Sequence, residues 1–149
     1  MTLKVGDRVP EFSAVDATGK LFESQSHIGK KVVIIYFYPK DDTPQCTAQA
    51  CGFRDHFSEF QNLDIEIIGI SADDESSHQK FIQKYNLPFV LLSDPDNAIR
   101  NLFGVPSRLF GLLAGRVTYL VDKDGIIQEI FDNWIGKKHV ARMLDKMIK

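Results

Sequence analysis

The stretch Val32–Phe60, VVIIYFYPKDDTPQCTAQACGFRDHFSEF, constrains the fold more than any other part of the chain. It opens on seven apolar residues, Val32 to Tyr38, dense in β-branched and aromatic side chains. Such a run is too short to cross a bilayer and suits a strand buried on both faces. Pro39 ends it, and a polar turn, Lys40-Asp41-Asp42, follows. Thr43-Pro44 then has the form of a helix start, with Thr43 as N-cap and Pro44 at the first helical position. Cys46, Ala50, Phe53, Phe57 and Phe60 recur at spacings of four, three, four and three. That pattern predicts one helix, Pro44 to Phe60, carrying a continuous apolar stripe. Cys46 falls in its first turn and on the stripe, half sheltered against the sheet edge. At about 100° per residue, Cys51 lies about 140° away around the axis.

The rest of the chain reads as an alternation around that unit. Phe12 to Asp16 and Lys20 to Glu23, separated by the turn signal Thr18-Gly19, predict an N-terminal β-hairpin. Ile65 to Ser71 and Phe89 to Leu92 are further strands. Between them, Asp73-Asp74 caps a helix with Phe81, Ile82 and Tyr85 inward. Asp94-Pro95 starts a short helix with Ala98, Ile99, Leu102 and Phe103 inward. Val105 to Gly115 reads as an irregular loop containing Pro106 and Gly111. Val117–Val121 and Ile126–Ile130 form a hairpin around Asp122-Lys123-Asp124-Gly125. A final amphipathic helix places Val140, Met143, Leu144 and Met147 on one face. No repeat or linker interrupts the chain, so one domain spanning residues 1–149 is expected. The order ββ, βαβαβ, ββ, α predicts an α/β fold of thioredoxin-like architecture: a central mixed sheet with helices on both faces and an N-terminal β-hairpin.

Composition narrows the function classes. A net charge of −2 gives no electrostatic case for nucleic acid or an anionic membrane surface. The N-terminus, MTLKVGDRVP, has no apolar segment of the secretory kind, and no stretch is long enough to span a membrane. Two cysteines in 149 residues are not a disulfide framework. In the reducing, cytoplasmic setting expected here they are there for chemistry.

Cys46 is the leading candidate, because a helix N-terminus favours the thiolate, and the thiolate is the nucleophile. The same unpaired N–H groups can hold a developing anion on a substrate. The bland alternative, an inert buried cysteine, fits a mid-helix position better than a first turn. Thr43 either only caps the helix or also offers a hydroxyl beside the sulfur. Pro39 either only ends the strand or also shields the pocket from water. Cys51 is either helix filler or a second thiol that acts with Cys46. There is no C-x-x-C pair, so a common dithiol oxidoreductase is disfavoured. Cys46, Cys51 and His56, spaced by five and five, scatter around a helix and form no zinc face. His27, His78 and His139 stand in polar contexts and are expected to be solvated. Glycine-rich phosphate loops are absent, and no metal or organic cofactor is implied. Arg116, after Gly115 at the start of a predicted strand, reads from pattern alone as an edge charge.

The run PKDDTPQCT, residues 39–47, resembles the P-x-x-x-T-x-x-C motif of peroxiredoxins. YPKDDTPQCTAQACGFR is similar to the peroxiredoxin Q, or bacterioferritin comigratory protein, subfamily, with its second cysteine five residues after the first. VGDRVPEFSAVDATGK, LLSDPDNAIRNLFGV and GRVTYLVDKDGII resemble other segments of that family, so the resemblance covers essentially the whole chain. It implies that Cys46 is the peroxidatic cysteine and Cys51 the resolving one. Thr43 is then the threonine that meets the peroxide, Pro39 the shielding proline, and Arg116 the arginine beside the thiolate. Two departures stand out: Gln45 where glycine is usual, and Gln49 where glutamate is frequent. The implied activity is reduction of hydrogen peroxide and organic hydroperoxides through a Cys46 sulfenic acid and a Cys46–Cys51 disulfide, recycled by a thioredoxin-like reductant. A redox sensor that passes its disulfide to partner proteins is the alternative. A monomer is expected, since the resolving thiol is on the same chain. Resistance to over-oxidation is expected too, since no segment follows Lys149. On one intact helix the two Cα atoms stand roughly 8–9 Å apart. A disulfide spans about 4.4–6.8 Å, so forming it requires local unwinding.

Overall fold

The computed structural model describes residues 2–105, 107–108 and 113–148. Its elements in chain order are β1 (Ser13–Asp16), β2 (Leu21–Glu23), β3 (Val32–Phe37), α1 (Pro44–Asp55), α2 (Phe57–Asn62), β4 (Ile65–Ser71), α3 (Glu75–Tyr85) and β5 (Val90–Ser93). They continue with α4 (Ala98–Phe103), β6 (Ser107–Arg108), β7 (Leu113–Ala114), β8 (Val117–Val121), β9 (Ile127–Asp132) and α5 (Gly136–Ile148). Seven strands form one sheet in the order β2-β1-β5-β4-β3-β8-β9. β3 runs parallel to β4, and β4 to β5, as helical crossovers require. β8 joins β3 antiparallel, and the N-terminal hairpin docks antiparallel on β5, so the sheet is mixed. This is the thioredoxin-like α/β fold expected, with the hairpin built into the sheet edge.

Alternation along β3 divides the interior into two cores. Val33, Ile35 and Phe37 face a layer containing Phe12, Phe22 and, from α4, Ile99 and Phe103. Ile34, Tyr36 and Tyr38 face α1, α2, α3 and α5, through Cys46, Ala50, Phe53, Phe60, Phe81, Val140 and Met143. Helices therefore cover both faces, unequally. Tyr36 lies across Gly69 of β4, where a Cβ would come within 2.8 Å of the ring. Only glycine lets the ring settle there.

Three expectations need correction. The cysteine helix does not continue to Phe60. His56, at φ −108° and ψ 12°, closes α1 and opens α2. The stripe survives the break because α2 re-aims Phe60 into the core, while Phe57 is only partly buried. In α4 the inward residues are Ile99, Arg100 and Phe103; Leu102 is 44% exposed and Ala98 is exposed. Asp94 sets this rotation, its carboxylate accepting from the Ile99 and Arg100 N–H groups. Within the expected irregular loop, β6 pairs with β7 antiparallel; Pro106 and Gly111 lie outside the described residues.

Candidate active site

The loop after β3 is bolted down before it reaches the cysteine. Tyr38 N–H still donates to Ile70 O, at 3.1 Å, one residue past the strand. Asp41 then turns inward and is 7% exposed. Its Oδ1 accepts from Tyr38 OH at 2.6 Å; its Oδ2 accepts from Ser77 Oγ at 2.9 Å and faces His78 Nδ1 at 2.7 Å. Its own N–H donates to Asp73 Oδ2. His78 Nε2 meets Leu92 O at 3.0 Å, so the ring is held between the Asp41 carboxylate and the backbone of β5. His78 is fully buried, contrary to the solvated placement expected, because the α3 face carrying it is pulled onto the loop. Asp41, Asp73 and His78 bring ligand-type atoms within 4.8 Å of one another, a closeness these protein hydrogen bonds account for. Asp42 takes a left-handed conformation, φ 57°, and reaches back to Lys84 Nζ and Tyr85 OH, each at 2.8 Å.

Thr43 occupies the N-cap position of α1 but does not cap with its side chain. Its hydroxyl donates to Lys40 O at 2.9 Å, closing the loop on itself. The Thr43 oxygen therefore keeps lone pairs to accept with, and among the described residues no side chain caps the first-turn N–H groups. Pro39 is half-buried at the head of this loop.

Cys46 is 1% exposed in the first turn of α1. Arg116, also 1% exposed, is not the edge charge that pattern alone suggested. Its Nη2 donates to Cys46 Sγ at 3.2 Å, Nη1 to Gln49 Oε1 at 2.7 Å, and Nε to Trp134 O at 3.0 Å. The guanidinium also lies over the Trp134 ring, 5.6 Å from its centroid. A second arginine, Arg100, braces the frame from α4, donating to Gly115 O at 2.9 Å and Tyr38 O at 3.3 Å. It thus ties the end of β3 to the residue before Arg116; burial lowers its basicity, opposed by Asp94, Tyr119 and Cys46. Behind Gln49, its Nε2 donates to Thr118 Oγ1 at 3.4 Å, and Thr118 Oγ1 meets His139 Nδ1 at 2.6 Å. His139 is fully buried on α5 rather than solvated; burial brings it down to about 4, opposed by the Asn133 carbonyl and helped by Arg116. His27, the third histidine expected in solvent, is half-buried, stacked on Phe22 and bonded to Glu66. Cys51 is half-buried further along α1, and burial pushes its thiol up. Both cysteines are free thiols.

A model of the AhpC/TSA family matches residues 5–130. The chloroplastic peroxiredoxin Q of Populus jackii is 49% identical over 140 residues, covering 93% of this chain and 65% of that protein. The crystal structure of peroxidoxin BcpB from Mycobacterium tuberculosis superposes with a TM-score of 0.89 at 30% identity, covering 98% of this chain and 97% of that one. The chain belongs to the AhpC/TSA family, in its peroxiredoxin Q branch. A bacterioferritin comigratory protein from Xanthomonas campestris, described for its alkyl peroxide reduction, superposes at 0.84 with 27% identity, over 95% of this chain and 98% of that one. The chain spans just under two-thirds of the length of the Populus protein. The cytoplasmic placement expected from the sequence is overturned by the plant relatives, which are chloroplastic proteins.

As a peroxiredoxin Q chain, it brings Cys46 and Arg116 into direct contact, places Thr43 and Pro39 on the loop leading to Cys46, and leaves Cys51 further along the same helix. The two glutamines are both engaged. Gln45 Oε1 accepts from Gly136 N at the start of α5, and Gln49 takes Arg116. Sequence reasoning missed Arg100, Trp134, Thr118 and the two buried histidines. His78 lies between Glu75 and Lys80, and His139 directly follows Lys138, on helices where polar context in the chain says little about which face is covered.

Proposed function

We propose that this chain is a thiol-dependent peroxidase that reduces hydrogen peroxide and organic hydroperoxides. The observation that carries the reading is the buried Cys46 sulfur, in the first turn of a helix, receiving the Arg116 guanidinium at 3.2 Å. The Cys46 thiolate attacks the terminal oxygen of a hydroperoxide. An S–O bond forms and the O–O bond breaks. The sulfur is oxidised to a sulfenic acid, and the leaving oxygen takes up a proton to depart as water or an alcohol. Thr43, whose own proton goes to Lys40 O, can accept the hydroperoxide proton and so orient the terminal oxygen toward the sulfur. Arg116 and the Cys46 N–H stabilise charge moving onto the leaving oxygen. Pro39 limits access of water at the loop head.

Cys51 then attacks the oxidised Cys46 sulfur. The S–S bond forms, the S–O bond breaks, and water leaves. A dithiol reductant of the thioredoxin type restores both thiols by exchange. Because both thiols lie on α1, the cycle needs one copy, and we take the chain as a single domain acting as a monomer. Alkyl peroxide reduction described for the Xanthomonas relative supports including organic hydroperoxides among the substrates.

The test is peroxide-dependent NADPH oxidation coupled through thioredoxin and its reductase. Turnover is expected in the wild type and lost in Cys46→Ser. In Cys51→Ser a single oxidation of Cys46 remains, while thioredoxin-linked turnover falls. A Cys46→Ser variant with full turnover overturns the reading.

A further inference from the structure

A string of hydrogen bonds runs from the Cys46 sulfur to the backbone beside α5, and its proton order is set from the far end. Asn133 O can only accept, and it faces His139 Nε2 at 2.7 Å, so that nitrogen carries the proton. Burial keeps the ring neutral at ordinary pH, which leaves Nδ1 as an acceptor. The partner at Nδ1 is Thr118 Oγ1, 2.6 Å away, so the threonine proton points to His139. Thr118 Oγ1 has then only lone pairs to offer Gln49, and it meets Gln49 Nε2 at 3.4 Å. This is the longest link in the string, and what matters is its polarity. With its NH2 held toward Thr118, Gln49 presents Oε1 to Arg116 Nη1 at 2.7 Å. The other end of the same guanidinium is on Cys46.

The direction matters because residue 49 is an amide. A carboxylate has an acceptor oxygen at either end, whereas an amide flipped by half a turn would put NH2 against the guanidinium and oxygen against the Thr118 lone pairs. Both contacts would then be repulsive, in a site where all these groups are buried. We infer that Thr118 and His139 are positioning residues that fix the orientation of the Gln49 amide and, through it, seat the Arg116 fork on the Cys46 sulfur. This inference rests on the peroxidase reading above and adds two residues outside the sequence motif.

Paired variants at Thr118 separate orientation from packing. Thr118→Val keeps the side-chain shape and removes the hydroxyl; Thr118→Ser keeps the hydroxyl and removes a methyl. The measurement is the second-order rate constant for Cys46 oxidation by hydrogen peroxide, from competition with a haem peroxidase, alongside melting temperature. Thr118→Val is expected to slow the reaction roughly tenfold, the effect of leaving a buried partner misdirected, while Thr118→Ser stays within about twofold. In a Gln49→Glu background, Thr118→Val is expected to cost less than about threefold, because either carboxylate oxygen can take Arg116. Equal rates for Thr118→Val and the wild type, equal losses for Val and Ser, or the same tenfold loss in the Gln49→Glu background would each overturn the inference. Nitrogen-15 NMR of His139 supplies a readout independent of turnover. A neutral ring protonated at Nε2 is expected at pH 7, and a ring protonated at Nδ1 sinks the inference whatever the peroxidase assay shows. A wild-type chain inert to peroxide but with the expected tautomer sinks the peroxidase reading and leaves the proton order standing.

Discussion

Arg116 is the residue on which the site converges. One flat cation reaches the sulfur, the Gln49 amide oxygen and the Trp134 carbonyl in three directions. A lysine ammonium is a point charge and cannot span that fork. Arg116→Lys is therefore expected to slow Cys46 oxidation by about 100-fold, the scale of losing one preorganised donor at a developing charge, with little change in melting temperature. Stopped-flow mixing with hydrogen peroxide checks it; a loss below about threefold would remove Arg116 from the mechanism. The contact with Trp134, the chain's one tryptophan, makes this site optically visible. Oxidation of Cys46 is expected to change its emission, and Cys46→Ser to abolish that change. Cys46, Thr43, Pro39 and Cys51 were legible in the sequence because they lie within thirteen residues of one another, on a strand, loop and helix whose periodicities are local. Arg116 became legible only by family resemblance. Thr118, His139 and Arg100 were not legible, since what gives each its place is a partner on another element.

At the scale of elements, α1 and α5 meet with almost no clearance. A Cβ on Gly136 would fall 2.1 Å from Gln45 O and 2.9 Å from Gln49 Cβ, and one on Gly52 would fall 2.9 Å from Val140 Cγ2. Gly136→Ala must push the start of α5 off α1 and strain the Gly136 N–H bond to Gln45. It is expected to destabilise the fold by about 1–3 kcal/mol in urea denaturation, the usual cost of overpacking. Because Trp134 and Asn133 immediately precede α5, the same change is expected to slow Cys46 oxidation. Gly52 has a second effect. It is a poor helix residue, by about 1 kcal/mol against alanine, beside the turns that open in the proposed disulfide step. Oxidation is expected to melt that part of α1, seen as lost helical circular dichroism and faster amide exchange at residues 44–52, reversed by dithiothreitol. An oxidised protein with α1 intact would refute this. The strands of the seven-stranded sheet, among them the hairpin β8–β9, and α5 were legible from apolar periodicity, whereas β6 and β7 were not. The break at His56 was not, because a kink that keeps Phe60 facing inward leaves the three-four spacing undisturbed. The rotation of α4 was missed because Asp94, which sets it, acts from outside the helix.

For the molecule as a whole, burying His139 neutral couples stability to pH. Its ordinary value is 6.5 and its folded value about 4, so between these the unfolded chain binds a proton that the folded chain does not. The stabilisation is fully present above 6.5 and is lost as pH falls to about 4, a contribution of about 3 kcal/mol. Urea titrations at pH 7 and pH 4 are expected to show that loss in the wild type and a smaller one in His139→Gln; equal losses would remove His139 as the cause. The strand order was partly legible, since a βαβαβ unit implies neighbouring parallel strands. Docking of the N-terminal hairpin on β5 was not, because its three- and four-residue strands carry no mark of their partner. Finally, Cys46, Gln49 and Cys51 share α1, so the turns that hold Arg116 in place are those that open in the proposed joining of the two sulfurs. On the proposed peroxidase cycle, the oxidised chain has no seat for a second peroxide, and the reduced chain offers a dithiol reductant no disulfide. That cycle predicts strict alternation, and double-reciprocal plots against peroxide at several thioredoxin concentrations should be parallel lines.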